Sequence, residues 1–334
     1  MRRIPALFVL FLSSCTTQRW QPARMSATDD HVAHMSVADR LSPGIAPLNG
    51  ESQGTANIPA SAATADARLK ASPRHGEWVT IAWEPGSADS LMAWVVYPMR
   101  RDKAPVVVVI HEIFGLQTWV RGVTDQLAAD GFIAIAPDIL SRARGGPSTV
   151  ELSGDSARKL IAGITYAERN KAITAVSKYA MSQPSAEKRY GVVGYCWGGS
   201  TAWSAAVAGG EGFGGAVAYY GSPYVTQMPA AIAGGTPTVV PNADSLAKIR
   251  MPVMLLNGSL DARIGAMMPA VDSVMKALGR DYVGRNYDGA VHGFLRAQDD
   301  PGPNNAPGNQ ANLTAAKDAW PMTIAFFKKH LRSK

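Results

Sequence analysis

The chain has 334 residues, 46% hydrophobic and 18% charged, with a formal net charge of +7 at pH 7. This is globular composition, with enough apolar material for one large domain or two ordinary ones. The positive charges are scattered, with no Lys/Arg run, zinc-ligand spacing or aromatic–basic ladder, so the basicity is a general field and no nucleic-acid partner is expected. In chain order, Arg2 and Arg3 come first, then an apolar run over residues 4–12, then Ser13, Ser14 and Cys15. A basic start, a short apolar run and small residues before a cut form an export signal, and the run is too short to span a bilayer. Leu12-Ser13-Ser14-Cys15 also has the form of a bacterial lipobox, with Cys15 as the lipidated first residue of the mature chain. An exported lipoprotein is therefore expected, periplasmic or anchored at the outer membrane, with no membrane contact except that N-terminal lipid. Residues 1–14 are the signal. Residues 15–75, rich in Ala, Ser, Pro, Gly and Thr, read as a flexible tether, and residues 76–334 as the globular domain.

Within the domain, residues 78–83 and 91–97 are expected to be strands joined through Pro85-Gly86. The unbroken run Val106-Val107-Val108-Val109-Ile110 has the character of a central parallel strand buried on both faces. A helix over 120–129 and a strand over 132–136 follow, then two helical segments between 152 and 181. A strand over 190–193 leads to a helix over 201–208. Further strands are expected at 215–219, 253–256 and 281–287, and an amphipathic closing helix at 320–331. Residues 299–312 form a Pro/Gly/Asn-rich loop. Alternation of strand and helix implies an α/β fold with a mostly parallel sheet covered on both faces.

The densest motif is Gly194-Tyr195-Cys196-Trp197-Gly198-Gly199, a G-x-S-x-G nucleophile elbow with cysteine in the serine position. Glycines flank such a turn because strand and helix approach too closely for side chains. The chain has only two cysteines, Cys15 and Cys196, so a lipidated Cys15 leaves Cys196 unpaired. A nucleophile needs a base, and the base an orienting acid, in the order nucleophile, acid, histidine. Of the two histidines after Cys196, His330 lies among Lys328, Lys329 and Arg332. His292 lies in the small-residue loop Gly289-Ala290-Val291-His292-Gly293, where the base belongs. Asp261, just past the strand at 253–256, is preferred as the acid over Asp272, Asp281 and Asp288. The loop His111-Glu112-Ile113-Phe114-Gly115 after the valine strand suits an oxyanion hole, assigned to the backbone N–H groups of Ile113 and Trp197. H-E-x-x-H fails at Gly115, so no metal is expected, and the proposed chemistry calls for no cofactor.

Taken together, His111–Leu116, Gly194–Gly199 and His292–Arg296 resemble the dienelactone hydrolase (carboxymethylenebutenolidase) family of the α/β-hydrolase superfamily. The similarity runs from about residue 76 to 331. The resemblance implies a Cys196–His292–Asp261 triad and an acyl-enzyme intermediate. It also implies that Glu112 helps activate the cysteine and that Arg296 holds a substrate carboxylate. A second substrate-binding arginine is implied too, for which Arg142, Arg144 and Arg158 are candidates. The chain departs from the family pattern in its export signal and tether, in His111 where glutamine is usual, and in the loop after Arg296. The expected partner is a small ester or lactone carrying a carboxylate, and a monomer is expected. The alternatives are a broad esterase or thioesterase, and a non-catalytic binding protein that keeps the fold.

Overall fold

A computed structural model describes residues 53–148, 154–228, 238–298 and 310–332. The expected export signal and Cys15 lie outside the described residues. Eight strands form one sheet in the order β1-β2-β4-β3-β5-β6-β9-β10. They are β1 Gly76–Ala82, β2 Ser90–Val96, β3 Ala104–Ile110, β4 Ile133–Asp138, β5 Ala186–Tyr195, β6 Phe213–Tyr219, β9 Val253–Gly258 and β10 Tyr282–Tyr287. A separate hairpin pairs β7 Val225–Met228 with β8 Thr238–Pro241. β2 runs antiparallel to β1 and β4, while the pairs from β4 through β10 are parallel. This is the mostly parallel, doubly covered α/β sheet that the sequence implies.

The reason is clearest in β3. Val106 to Ile110 are completely buried, and their alternation feeds two cores. Val106, Val108 and Ile110 join the core on one face of the sheet, and Val107 and Val109 join the core on the other. Longer helices cover both faces: α1 Ala65–Lys70, α2 Thr118–Ala129, α3 Gly154–Ala162, α4 Tyr166–Ser182, α5 Trp197–Ala208, α6 Met268–Ala277 and α7 Gln310–His330. α4 begins with a capping box, in which Thr165 accepts from the Glu168 amide and Glu168 reaches back to the Thr165 amide.

Two expectations need correction. From residue 53 onward, the segment read as tether is packed on the domain. Ile58, Ala60 and Ala65 are buried in one of the two cores, and α1 lies against α2. Its small side chains make it look like a linker, yet they permit close approach: a β-carbon added at Gly122 of α2 would lie 3.6 Å from Ala65 Cβ. The closing helix starts at Gln310, ten residues before the expected start, and so takes in the end of the loop read at 299–312. Pro321, a residue that suits a helix's first turn, lies inside α7, whose earlier turns bury Ala315, Ala316 and Ala319.

Candidate active site

Cys196 is the single residue between β5 and α5. Its backbone has φ 56° and ψ −113°, a conformation that side chains rarely adopt. The neighbouring glycines make this turn possible. A β-carbon at Gly194 would fall 1.9 Å from the Gly198 oxygen, and one at Gly198 would fall 2.3 Å from the Ile110 oxygen. One at Gly199 would lie 2.5 Å from the Tyr219 oxygen. All three obstacles are backbone atoms, which cannot rotate away. The thiol is half-buried at the carboxyl edge of the parallel strands, where open α/β sheets bind ligands.

His292 arrives from the loop after β10, and Asp261 from the turn after β9. The His292 Nδ1–H donates to Asp261 Oδ2 at 2.6 Å. Asp261 Oδ1 accepts the Ile264 amide at 3.3 Å, so its two oxygens share a base and a helix cap. Burial works against a charged His292, but hydrogen bonds to Asp261 and Cys196 outweigh it and raise its pKa to about 9. Burial likewise works against a charged Asp261, and the His292 bond overcomes it, leaving that carboxyl below its ordinary value. The Tyr220 ring packs 4.9 Å from the His292 ring. The structure therefore joins Asp261 to His292 by a hydrogen bond and brings the His292 ring close to Cys196. The other acids considered lie elsewhere: Asp272 meets Tyr282, and Asp288 meets the Ser259 hydroxyl. His330 packs on Phe326 at the far end of α7.

Glu112 and Arg296 meet directly, with Arg296 Nε 3.0 Å from Glu112 Oε2. Glu112 is buried, and this raises its pKa, although Arg296 and His292 pull the other way. Arg296 thus turns toward a site acid, with its side chain still 37% exposed. The expected oxyanion donors lie on adjoining backbones. Trp197 opens α5, so its amide has no partner within the helix. Ile113 follows Glu112 in the loop after β3, and Gly198 sits against the Ile110 and His111 carbonyls of that same stretch. His111 fixes this loop from within. Its Nε2 accepts the Ile139 amide at 3.2 Å, so its Nδ1–H donates to the Glu112 carbonyl at 2.6 Å. Its ring stacks on Trp197, with centroids 5.5 Å apart.

The arginines considered for a second anion contact are engaged otherwise. Arg142 lies over Trp83 and pairs with Asp89, Arg158 pairs with Asp155 on the surface, and Arg144 faces the buried Asp138. Sequence reasoning missed Arg169. Its guanidinium lies 4.2 Å from the Trp197 ring and 4.5 Å from that of Tyr166, and burial lowers its pKa. It also missed Tyr220, a fully buried residue at φ 40° whose hydroxyl has no hydrogen-bond partner among the described residues. The signal available for Arg169 was its place near the start of a capped helix, which says nothing about Trp197.

The profile of the dienelactone hydrolase family matches residues 91–331. A Synechocystis protein named "Putative carboxymethylenebutenolidase" is 27% identical over 270 residues, spanning 76% of this chain and 97% of its own. Among solved structures, a "Putative Dienelactone Hydrolase" from Klebsiella pneumoniae superposes with a TM-score of 0.59 at 23% identity, over 76% of this chain and 99% of its own. A dienelactone hydrolase from Anabaena variabilis gives 0.51 at 15% identity, over 78% and 99%. The structural likenesses carry the fold alone. With the family profile spanning most of the domain, this chain belongs to the dienelactone hydrolase family.

Proposed function

We propose that this hydrolase of lactone and ester bonds works by covalent catalysis from Cys196. The observation that carries the reading is the line Asp261–His292–Cys196, with His292 bonded to Asp261 and close to the thiol. The Cys196 sulfur attacks the carbonyl carbon as a thiolate, its proton already held on His292. The N–H groups of Ile113 and Trp197 face the resulting oxyanion. The carbon–oxygen bond to the leaving group breaks, and the departing oxygen takes the proton from His292. Water, deprotonated by His292, then cleaves the thioester and returns the free thiol and the carboxylic acid product. Asp261 holds the ring in the Nδ1–H form and stabilises the imidazolium.

The ion pair at the rim supports a preference for substrates that carry a carboxylate. Such a group would compete with Glu112 for the Arg296 fork. Glu112, buried and deprived of its cation, would then be a stronger base within the site. Export and a lipid anchor at Cys15 belong to the same proposal. Mass spectrometry of the membrane fraction should find an acylated Cys15 peptide, and an unmodified peptide spanning Ser14 and Cys15 in exported protein would refute it.

The chemistry is tested by profiling lactones, aryl esters and thioesters with the wild type and Cys196→Ala. The variant should lose at least about 10³-fold in kcat. Quenched wild-type reactions should carry the acyl mass on the Cys196 peptide. Complete iodoacetamide labelling of Cys196 with unchanged turnover would end the proposal.

A further inference from the structure

The loop that carries His292 and Arg296 is held by parts of the chain far away in sequence. Three consecutive carbonyls in it each accept a hydrogen bond. Leu295 accepts from Gln298 Nε2 at 2.9 Å, Arg296 from the Ala62 amide at 2.9 Å, and Ala297 from Asn312 Nδ2 at 3.1 Å. Gln298 Nε2 also donates to the Pro59 carbonyl at 2.8 Å, so both of its hydrogens are used. The segment around residues 58–65 therefore grips the loop twice, once through its own amide at Ala62 and once through the Gln298 side chain.

The same segment is tied to the elbow. Trp119 Nε1 donates to the Ala60 carbonyl at 3.0 Å, and the Trp119 ring packs edge-on against Tyr195, with centroids 5.1 Å apart. Tyr195 immediately precedes the nucleophile. Ser61 and Ala65 are fully buried at this seam, with Ile58 and Ala60 nearly so. Farther along, Arg74 closes on Asp125 of α2 through two hydrogen bonds, which anchors the segment's other end. One short stretch outside the sheet thus spans from the strand that delivers Cys196 to the loop that delivers Arg296.

We propose that residues 58–65 are a positioning element that sets where the Arg296 loop stands relative to the nucleophile, with Gln298 as its clasp. Arg296 has a long side chain that is more than a third exposed, so the direction of its head depends on how firmly its peptide is held. Neither Ala62 nor Gln298 touches the reacting atoms, and their effect passes through Arg296. The substrate readout rests on the anion-anchoring reading of Arg296; the exchange readout does not.

The test uses the full chain carrying Gln298→Met, which keeps the volume and removes both donors. Amide hydrogen exchange at Arg296 and Ala297, both bonded to the Gly293 carbonyl, should quicken at least about five- to tenfold, the effect of the two buried hydrogen bonds lost with that side chain. Exchange in β5 should be unchanged. The ratio of kcat/KM for an acidic lactone to that for its methyl ester should fall by a similar factor, through KM, while the ester and iodoacetamide labelling of Cys196 stay within about twofold. Trp119→Phe, which frees the Ala60 carbonyl, should move the same readouts in the same direction. Faster local exchange with an unchanged substrate ratio supports the positioning role and removes Arg296 as the anchor. Unchanged exchange at Arg296 and Ala297 in both variants overturns the proposal. So does an equal loss on both substrates with exchange raised throughout the domain.

Discussion

The turn at Cys196 and the loop at Arg296 bring side chains to the same edge of one sheet, but they are held in opposite ways. The turn is held by what its residues lack. Gly194, Gly198 and Gly199 let backbone lie on backbone, and all of this is written within six residues. The loop is held by what distant residues supply: the Ala62 amide, the Pro59 carbonyl through Gln298, and the Asn312 side chain. On the proposed mechanism, a rigid turn suits a nucleophile that must stand in one place. On the same reading, a loop clasped by single hydrogen bonds suits a cation exchanged between Glu112 and a substrate carboxylate.

The largest effect should come from the line that joins the two regions. Asp261→Asn would leave the geometry nearly intact but favour the wrong His292 tautomer. It should lower kcat by about 10³- to 10⁴-fold with little change in melting temperature. A loss below tenfold would show that His292 is oriented by something other than Asp261.

The turn itself should be intolerant. Gly198→Ala places a β-carbon 2.3 Å from a main-chain oxygen, and forced overpacking costs about 1–3 kcal/mol or more. Urea unfolding should show this loss, whereas Gly289→Ala, near the loop, should register mainly the cost of its φ of 67°. Equal tolerance at both positions would erase the contrast between turn and loop.

The ion pair sharpens the contrast from the other side. Since Arg296 meets Glu112, Arg296→Ala is not a clean probe of substrate charge: it also strands a buried carboxylate. A double-mutant cycle with Arg296→Met and Glu112→Gln should give a coupling of about 1–3 kcal/mol in kcat/KM for an acidic lactone. Strict additivity would mean that the two residues act separately.

The smallest effect is a pH limb. The folded protein keeps His292 protonated to about pH 9, against an ordinary value of 6.5. The stabilisation this gives is complete below 6.5 and is lost as pH rises through about 9. Turnover that needs an imidazolium to protonate the leaving oxygen should fall across the same upper range, about tenfold per pH unit beyond it. A profile flat to pH 10 would contradict an imidazolium held by Asp261 beside the thiol.

What was legible in the sequence follows the same division. The valine run announced β3, because a strand buried on both faces needs nothing but β-branched residues. The elbow announced itself through glycine spacing, and His292 and Asp261 through their places after strands. Arg296 was legible as a residue but not as a contact, since its partner Glu112 is 184 positions earlier in the chain. The segment at residues 58–65 was misread because it folds through alanines and main-chain bonds, which leave no hydrophobic period. Arg169 escaped because its position over Trp197 depends on how α4 packs against α5.

His111 carries one last consequence. Its Nε2 faces the Ile139 N–H, so a second ring proton there would set two donors head to head inside a fully buried space. Burial already lowers its pKa, and this geometry favours the neutral Nδ1–H form. The ring stacked on Trp197 is therefore a spectator to acidity. In nitrogen-15 spectra it would stand as a constant Nδ1–H signal while the His292 resonances move, so the proton that turnover gains or loses has a single imidazole address at the nucleophile.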